Sequence, residues 1–116
     1  MDYNDIRVKH LTEKSKDSEA FIYPHYIFSI ENSVHFKTLV SGDYKDYNEL
    51  VKNQPEHSEK IYKELQEEFS LSKMQPIQLE WNGEIQKYLI NDGCHRIALL
   101  KYNGIDLKDC YYEIRD

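Results

Sequence analysis

The run Asn91-Asp92-Gly93-Cys94-His95-Arg96 places an acid, a glycine, a thiol, an imidazole and a guanidinium side by side. Ile90 stands before it and Ile97-Ala98-Leu99-Leu100 behind it, a pattern of strand, turn and immediate helix start. The first amides of such a helix have no partner within it and lie at the positive end of its dipole, so they attract an anion. Gly93 would let a phosphate approach the backbone closely. His95 and Arg96 add side-chain donors in the first turn, and a guanidinium can hold a phosphate through two parallel hydrogen bonds. Asp92 suits a helix cap or a ligand to a metal ion that accompanies a nucleotide. The same residues also fit a plainer description, an ordinary capped helix with His95 and Arg96 on its solvated face.

The elements that must position this turn can be read outward from it. The helix runs from about Cys94 to Asn103, with Gly104 as its left-handed cap. Pro76-Ile77-Gln78-Leu79-Glu80-Trp81 alternates with a period of two and precedes Asn82-Gly83, a strong two-residue hairpin signal, with Gln86 to Ile90 as the antiparallel partner. Ser58 predicts the N-cap of the longest helix, which carries Ile61, Tyr62, Leu65 and Phe69 as an apolar stripe and ends near Ser70. Asp43 suits the cap of a shorter helix bearing Tyr47, Leu50 and Val51. Asn32 or Ser33 caps another, holding Phe36, Leu39 and Val40 and ending near Gly42. Tyr26 to Ile30 predicts the first strand and Asp109 to Ile114 the last. Residues 1–20, polar and without apolar period, read as a loose arm or irregular segment ahead of one domain over 21–116.

A chain of 116 residues suits one core, and no apolar run is long enough to cross a bilayer. The acidic start Met1-Asp2-Tyr3-Asn4-Asp5 lacks the features of a secretory signal, which predicts a cytoplasmic protein whose Cys94 and Cys110 are reduced rather than bridged. A net charge of −6 disfavours nucleic acid as a partner, since that binding depends on clustered cations. The acidity itself fits simple solubility. His10, His25 and His35 show no metal-ligand spacing with either cysteine, which argues against zinc.

Asp92-Gly93-Cys94-His95-Arg96, followed by Ala98 and Gly104, resembles the Asp-Gly-x-His-Arg form of the signature in ParB/sulfiredoxin-like domains. Upstream, the helix from Ser58, then Gln75-Pro76-Ile77, then a hairpin leading into the signature, is similar to the family's order of elements. The likeness covers about residues 55–114. A softer one, in Ser41-Gly42-Asp43, Tyr47 and Glu56-His57-Ser58, is to bacterial proteins that carry this domain near surface-polysaccharide genes.

The resemblance implies an α/β (α+β) fold, a small mixed sheet packed by helices, and a nucleotide site. In such folds the turn matching Gly93 to Arg96 holds phosphates of ATP, ADP or CTP, and some members transfer the γ-phosphate to a small acceptor or to a sulfinic acid. The implied activity is an ATP-dependent kinase acting on a small polar metabolite or sugar, possessing Mg²⁺ as its ion and working as a monomer or homodimer. Gly93, Cys94, His95, Arg96 and Ser58 would bind phosphates, with Asp92, His57 and His95 as catalytic groups and Asp92 as the metal ligand. Asp43, Tyr47, Glu56 and Gln75 would touch substrate or support those groups.

Each assignment has a plain counterpart: a local hydrogen bond for His57, an N-cap for Asp43, and core packing for Tyr47 and Trp81, either of which could otherwise stack on a base. Two rival activities remain, a non-catalytic nucleotide- or phosphate-sensing module and a sulfiredoxin-like reductase. The second needs Cys94, whose place at a helix N-terminus beside His95 and Arg96 predicts an acidified thiol. A DNA clamp is disfavoured by the net charge, and a nuclease by the lack of an acid cluster beyond Asp92.

Overall fold

The computed structural model describes residues 1–9, 27–70, 74–110 and 112–115. Among the described residues five strands make one mixed sheet: β1 (Ile6–Lys9), β2 (Ile27–Ser29), β3 (Ile77–Asn82), β4 (Lys87–Asp92) and β5 (Tyr112–Arg115), in the order β2-β1-β4-β3-β5. The pairs β1·β2 and β3·β4 are antiparallel, whereas β1·β4 and β3·β5 are parallel. The α-helices of the described residues are α1 (Val34–Ser41), α2 (Lys45–Val51), α3 (Glu59–Glu67) and α4 (Cys94–Tyr102). This is the mixed α/β class.

Helix α4 joins two halves of the core. Ile97 and Leu100 pack with Ile6, Val8, Ile77, Leu79 and Ile90 of the sheet. Ala98 and Leu99 pack with Leu39, Tyr47, Val51 and Tyr62 of the other three helices. All four residues from Ile97 to Leu100 are buried, so the helix that follows the signature turn is fixed from both sides.

Local chemistry sets most helix ends. The Ser33 hydroxyl accepts from the Phe36 amide at 3.2 Å, and that of Ser58 from the Ile61 amide at 3.1 Å. Gly42, at φ 75°, ends α1 and donates its amide to the Thr38 carbonyl at 2.9 Å. At α2, Tyr44 is the capping residue, and the Asp43 carboxylate accepts from the Lys45 amide at 2.9 Å, just ahead of it.

Several details depart from the sequence expectation. Residues 3–9 are no loose arm: Tyr3–Asp5 form a 3₁₀ turn, and Ile6 and Val8, buried, put β1 between β2 and β4. The Tyr3 hydroxyl donates to the Ile105 carbonyl at 2.6 Å and ties this segment to the loop after α4. Residues 10–25, with His10 and His25, lie outside the described residues. So do Tyr26 and Tyr111 from the ends of two expected strands. The first expected strand is confined to Ile27–Ser29, and Ile30 opens a 3₁₀ turn. The last begins at Tyr112 because Leu107–Asp109 form another such turn.

The hairpin between β3 and β4 is longer than the Asn-Gly signal implied. Asn82 pairs with Lys87, leaving residues 83–86 as a four-residue loop. The Asn82 side-chain oxygen accepts from the Glu84 and Ile85 amides at 3.0 and 3.3 Å, and the positive φ falls on Gln86 instead of Gly83. The apolar faces of two helices are also narrower than their spacing suggests. Val40 is 64% exposed, and on α3 only Tyr62 is buried, with Ile61 and Leu65 facing solvent. Phe69 follows the end of α3 and packs from outside the helix against both core clusters.

Cys94 and Cys110 are not joined in a disulfide. Among the described residues no helix is long and apolar enough to cross a membrane.

Candidate functional site

Parallel strands β1 and β4 lie side by side and end together, Lys9 on one and Asp92 on the other, and α4 starts directly after β4. The crevice beyond the carboxyl ends of adjacent parallel strands is where open α/β sheets bind ligands. A cleft of about 630 Å³ occupies that place. Lys9, Asp92, Cys94, His95 and Arg96 line it from the sheet and α4, and His35 and His57 from the helical side.

Gly93 makes the turn possible. It is the N-cap of α4 at φ 115°, ψ 21°, a conformation that L side chains rarely adopt. A Cβ there would meet Ile77 Cγ1 at 3.2 Å and Arg96 Nη2 at 3.3 Å. The space left by the missing side chain is thus filled by the core and by the guanidinium, not held open for a ligand. No side chain caps α4, and Asp92 belongs to β4. Its carboxylate instead sits 3.0 Å from Arg96 Nη2, in a pair whose acid is 73% exposed and so strongly screened.

Arg96 is held at both sides. While Nη2 faces Asp92, Nη1 donates to the Pro76 carbonyl at 3.1 Å, which fixes the guanidinium between the end of β4 and the entry to β3. Among the described residues these contacts engage two of its five N–H groups.

His95 is surrounded by aromatic rings. Its Nε2 lies 2.7 Å from the Tyr47 hydroxyl, and His57 stacks on it with ring centroids 4.5 Å apart. His35 meets it edge-on at 4.3 Å and Tyr62 at 4.9 Å. The Tyr62 hydroxyl donates to the His35 carbonyl at 3.0 Å, so α3 holds the segment of α1 that brings His35 to the cleft. Burial pushes the Tyr47 phenol up to about 12, with the neighbouring Tyr44 adding to it, and raises Tyr62 for the same first reason.

The remaining expected site residues divide clearly. Gln75 lines a smaller hollow of about 330 Å³ that shares Leu65 and Arg96 with the main cleft. Ser58 caps α3, Asp43 holds the Lys45 amide, and the exposed Glu56 carboxylate is 3.9 Å from His57 Nε2. Tyr47 is fully buried and reaches the site through His95 and through the edge-on ring of His35, 5.7 Å away. Trp81 packs edge-on to Tyr88 on the hairpin. None of Ser58, Asp43, Glu56, Tyr47 or Trp81 lines the cleft.

The expected acidic thiol is reversed. Burial pushes Cys94 up to about 11, the Asp92 charge raises it further, and Arg96 offsets only part of this. Among the described residues no group of three or more His, Cys, Asp or Glu side chains could hold a metal ion. Asp92 is the carboxylate that the cleft lining provides.

Lys9, His35 and Tyr62 escaped the sequence reading of the site. The alternation of Ile6-Arg7-Val8-Lys9 was the available signal for the first, whereas nothing local marks His35 or Tyr62, which arrive by the packing of α1 and α3. No family model, curated protein or solved structure matches the chain.

Proposed function

We propose that the cleft binds the phosphates of a nucleoside triphosphate, and that the protein is an ATP-dependent phosphotransferase of the ParB/sulfiredoxin kind acting in the cytosol on a small polar metabolite or sugar. The observation that carries this reading is the convergence of Lys9, His57, His95 and Arg96 on one cleft at the N-terminus of α4. The cationic side chains, the imidazoles and the helix dipole there all favour an anion.

Lys9 and Arg96 would neutralise phosphate oxygens, and the amides opening α4 would accept the rest of the charge. Mg²⁺, where bound, would be held by Asp92 together with nucleotide oxygens and would supply further charge stabilisation. In transfer, the acceptor hydroxyl gives its proton to His57, its oxygen bonds the γ-phosphorus, and the bond from that phosphorus to the bridging oxygen breaks to release ADP. The likeness of the segment around Ser41 and Glu56 to proteins encoded near surface-polysaccharide genes suggests a sugar-related acceptor.

One observation favours a non-catalytic sensor of the same ligand: Asp92 is already paired with Arg96. CTP in place of ATP fits the same phosphate cradle. Sulfiredoxin-like chemistry is disfavoured by the raised thiol of Cys94. Incubation with ATP, Mg²⁺ and pooled sugars or amino acids tests turnover. Formation of ADP above an Arg96→Ala control supports transfer, and none above it, with binding retained, leaves the sensor.

A further inference from the structure

Arg96 and Leu65 line two cavities, the cleft at the N-terminus of α4 and the hollow of about 330 Å³ beside it. The hollow lies between the C-terminal end of α3 and the residues that lead into β3. Leu65, Phe69, Met74 and Leu99 give it apolar walls, and the exposed Glu68 and Gln75 add a carboxylate and an amide. Core packing fixes these walls: Leu99 is buried, Phe69 packs against both core clusters, and Met74 packs against the sheet cluster. A space at the lower end of the ~300–1,000 Å³ that small-molecule pockets occupy, apolar with a few polar groups, suits a flat ring with a polar edge.

The chemistry on either side of Arg96 selects the occupant. The acceptor of the proposed transfer must reach His57, which lines the cleft and not the hollow. A second anion is disfavoured by the Glu68 carboxylate and by the negative end of the α3 dipole, since Glu68 caps that helix. The part of a nucleotide that is left is its base, joined through the ribose to phosphates beside Arg96. The guanidinium is fixed between the two spaces, with Nη1 donating to the Pro76 carbonyl directly after Gln75 and Nη2 facing Asp92 of the cleft.

We propose that the hollow is the base subsite of the nucleotide site and takes a base that bears an exocyclic amine, adenine or cytosine. The ring lies against Phe69 and Met74, an aromatic face and a polarizable thioether. The amine donates to the Glu68 carboxylate, and the Gln75 amide, which can both donate and accept, meets the ring nitrogens. This assignment rests on the proposed phosphate site and adds what separates a nucleotide from a plain polyphosphate.

The test compares ATP with methyl triphosphate, which has the phosphates without sugar or base, each with Mg²⁺ and the full chain. The chain has two methionines, Met1 and Met74, so methyl-¹³C-methionine labelling gives Met74 its own signal, assigned with Met74→Leu. By calorimetry ATP should bind about ten-fold or more tightly than methyl triphosphate. ATP should also move the Met74 methyl signal upfield through the ring current of the base, and methyl triphosphate should leave it in place. Inosine triphosphate, with an oxygen where ATP has the amine, should bind several-fold more weakly than ATP, and Glu68→Gln should narrow that gap. Equal affinities for ATP and methyl triphosphate, a Met74 signal that ATP leaves unmoved, or one that methyl triphosphate shifts equally overturns the base subsite while the phosphate site stands. Equal affinities for ATP and inosine triphosphate overturn the recognition of the amine by Glu68. Failure of both ATP and methyl triphosphate to bind removes the phosphate site and the base subsite with it.

Discussion

Replacing Gly93 with Ala should be among the most damaging single-methyl changes available to this chain. Two separate strains add. A non-glycine residue at φ 115°, ψ 21° costs about 1–3 kcal/mol in backbone strain. The new methyl also lies 3.2 Å from Ile77 Cγ1, 3.3 Å from Ile77 Cγ2 and 3.3 Å from Arg96 Nη2, and Ile77 is fully buried, so overpacking adds about 1–3 kcal/mol. The sum, about 2–6 kcal/mol, is a large part of a typical domain's stability of about 5–15 kcal/mol. At a urea slope of about 2 kcal/mol/M, a loss of 3 kcal/mol would lower the midpoint by about 1.5 M. Gly42→Ala is the internal control: φ is 75° there, but nothing lies within 4 Å of the added methyl, so about 1–2 kcal/mol is expected from the backbone alone. Equal midpoint shifts for the two variants in urea denaturation would refute the argument that Ile77 and the guanidinium fill the space beside Gly93.

Other outcomes can be checked with the same protein. Ser58→Ala should cost about 1 kcal/mol in urea denaturation by removing the cap of α3, without altering phosphate affinity, since Ser58 does not line the cleft. Cys94 at about 11 should be about 10⁻⁴ thiolate at pH 7, so its alkylation, followed by mass spectrometry, should be slow at neutral pH and accelerate up to about pH 11. The same raised thiol favours folding fully below its ordinary value of 9.0, and that contribution should be lost as pH climbs from about 9 through about 11, lowering the alkaline urea midpoint more in wild type than in Cys94→Ala. Asp92→Asn releases Arg96 from its carboxylate, so metal-free tripolyphosphate should bind a few-fold more tightly by calorimetry while any Mg²⁺-dependent turnover falls.

What could be read from the chain follows the range of the forces involved. The caps at Ser33, Ser58 and Gly42 were legible because each is decided within one helical turn. The alternation of Ile77 and Leu79 marked β3 because both side chains enter one core. Strand β1 was not legible: Ile6 and Val8 are a short apolar signal among charged residues, and their burial comes from pairing with β4, more than 80 positions along the chain. Asp92 fits a cap when read locally, yet the chain makes its turn at Gly93 and the carboxylate reaches Arg96 instead. The thiol of Cys94 shows the same limit, as the helix dipole visible in sequence is outweighed by burial and by the charge of Asp92. The imidazoles of His35 and His57 meet His95 only through the packing of α1 and α3 around α4, which no spacing along the chain encodes.

Titration of isotopically labelled protein with Mg·ATP, followed through the backbone amides, bears most directly on the phosphate cleft. Saturable shifts at Cys94, His95 and Arg96, with Lys9 moving in step and all of them lost in Arg96→Ala, are the predicted result. Amides at 94–96 that stay in place as Mg·ATP rises to millimolar concentration would contradict it.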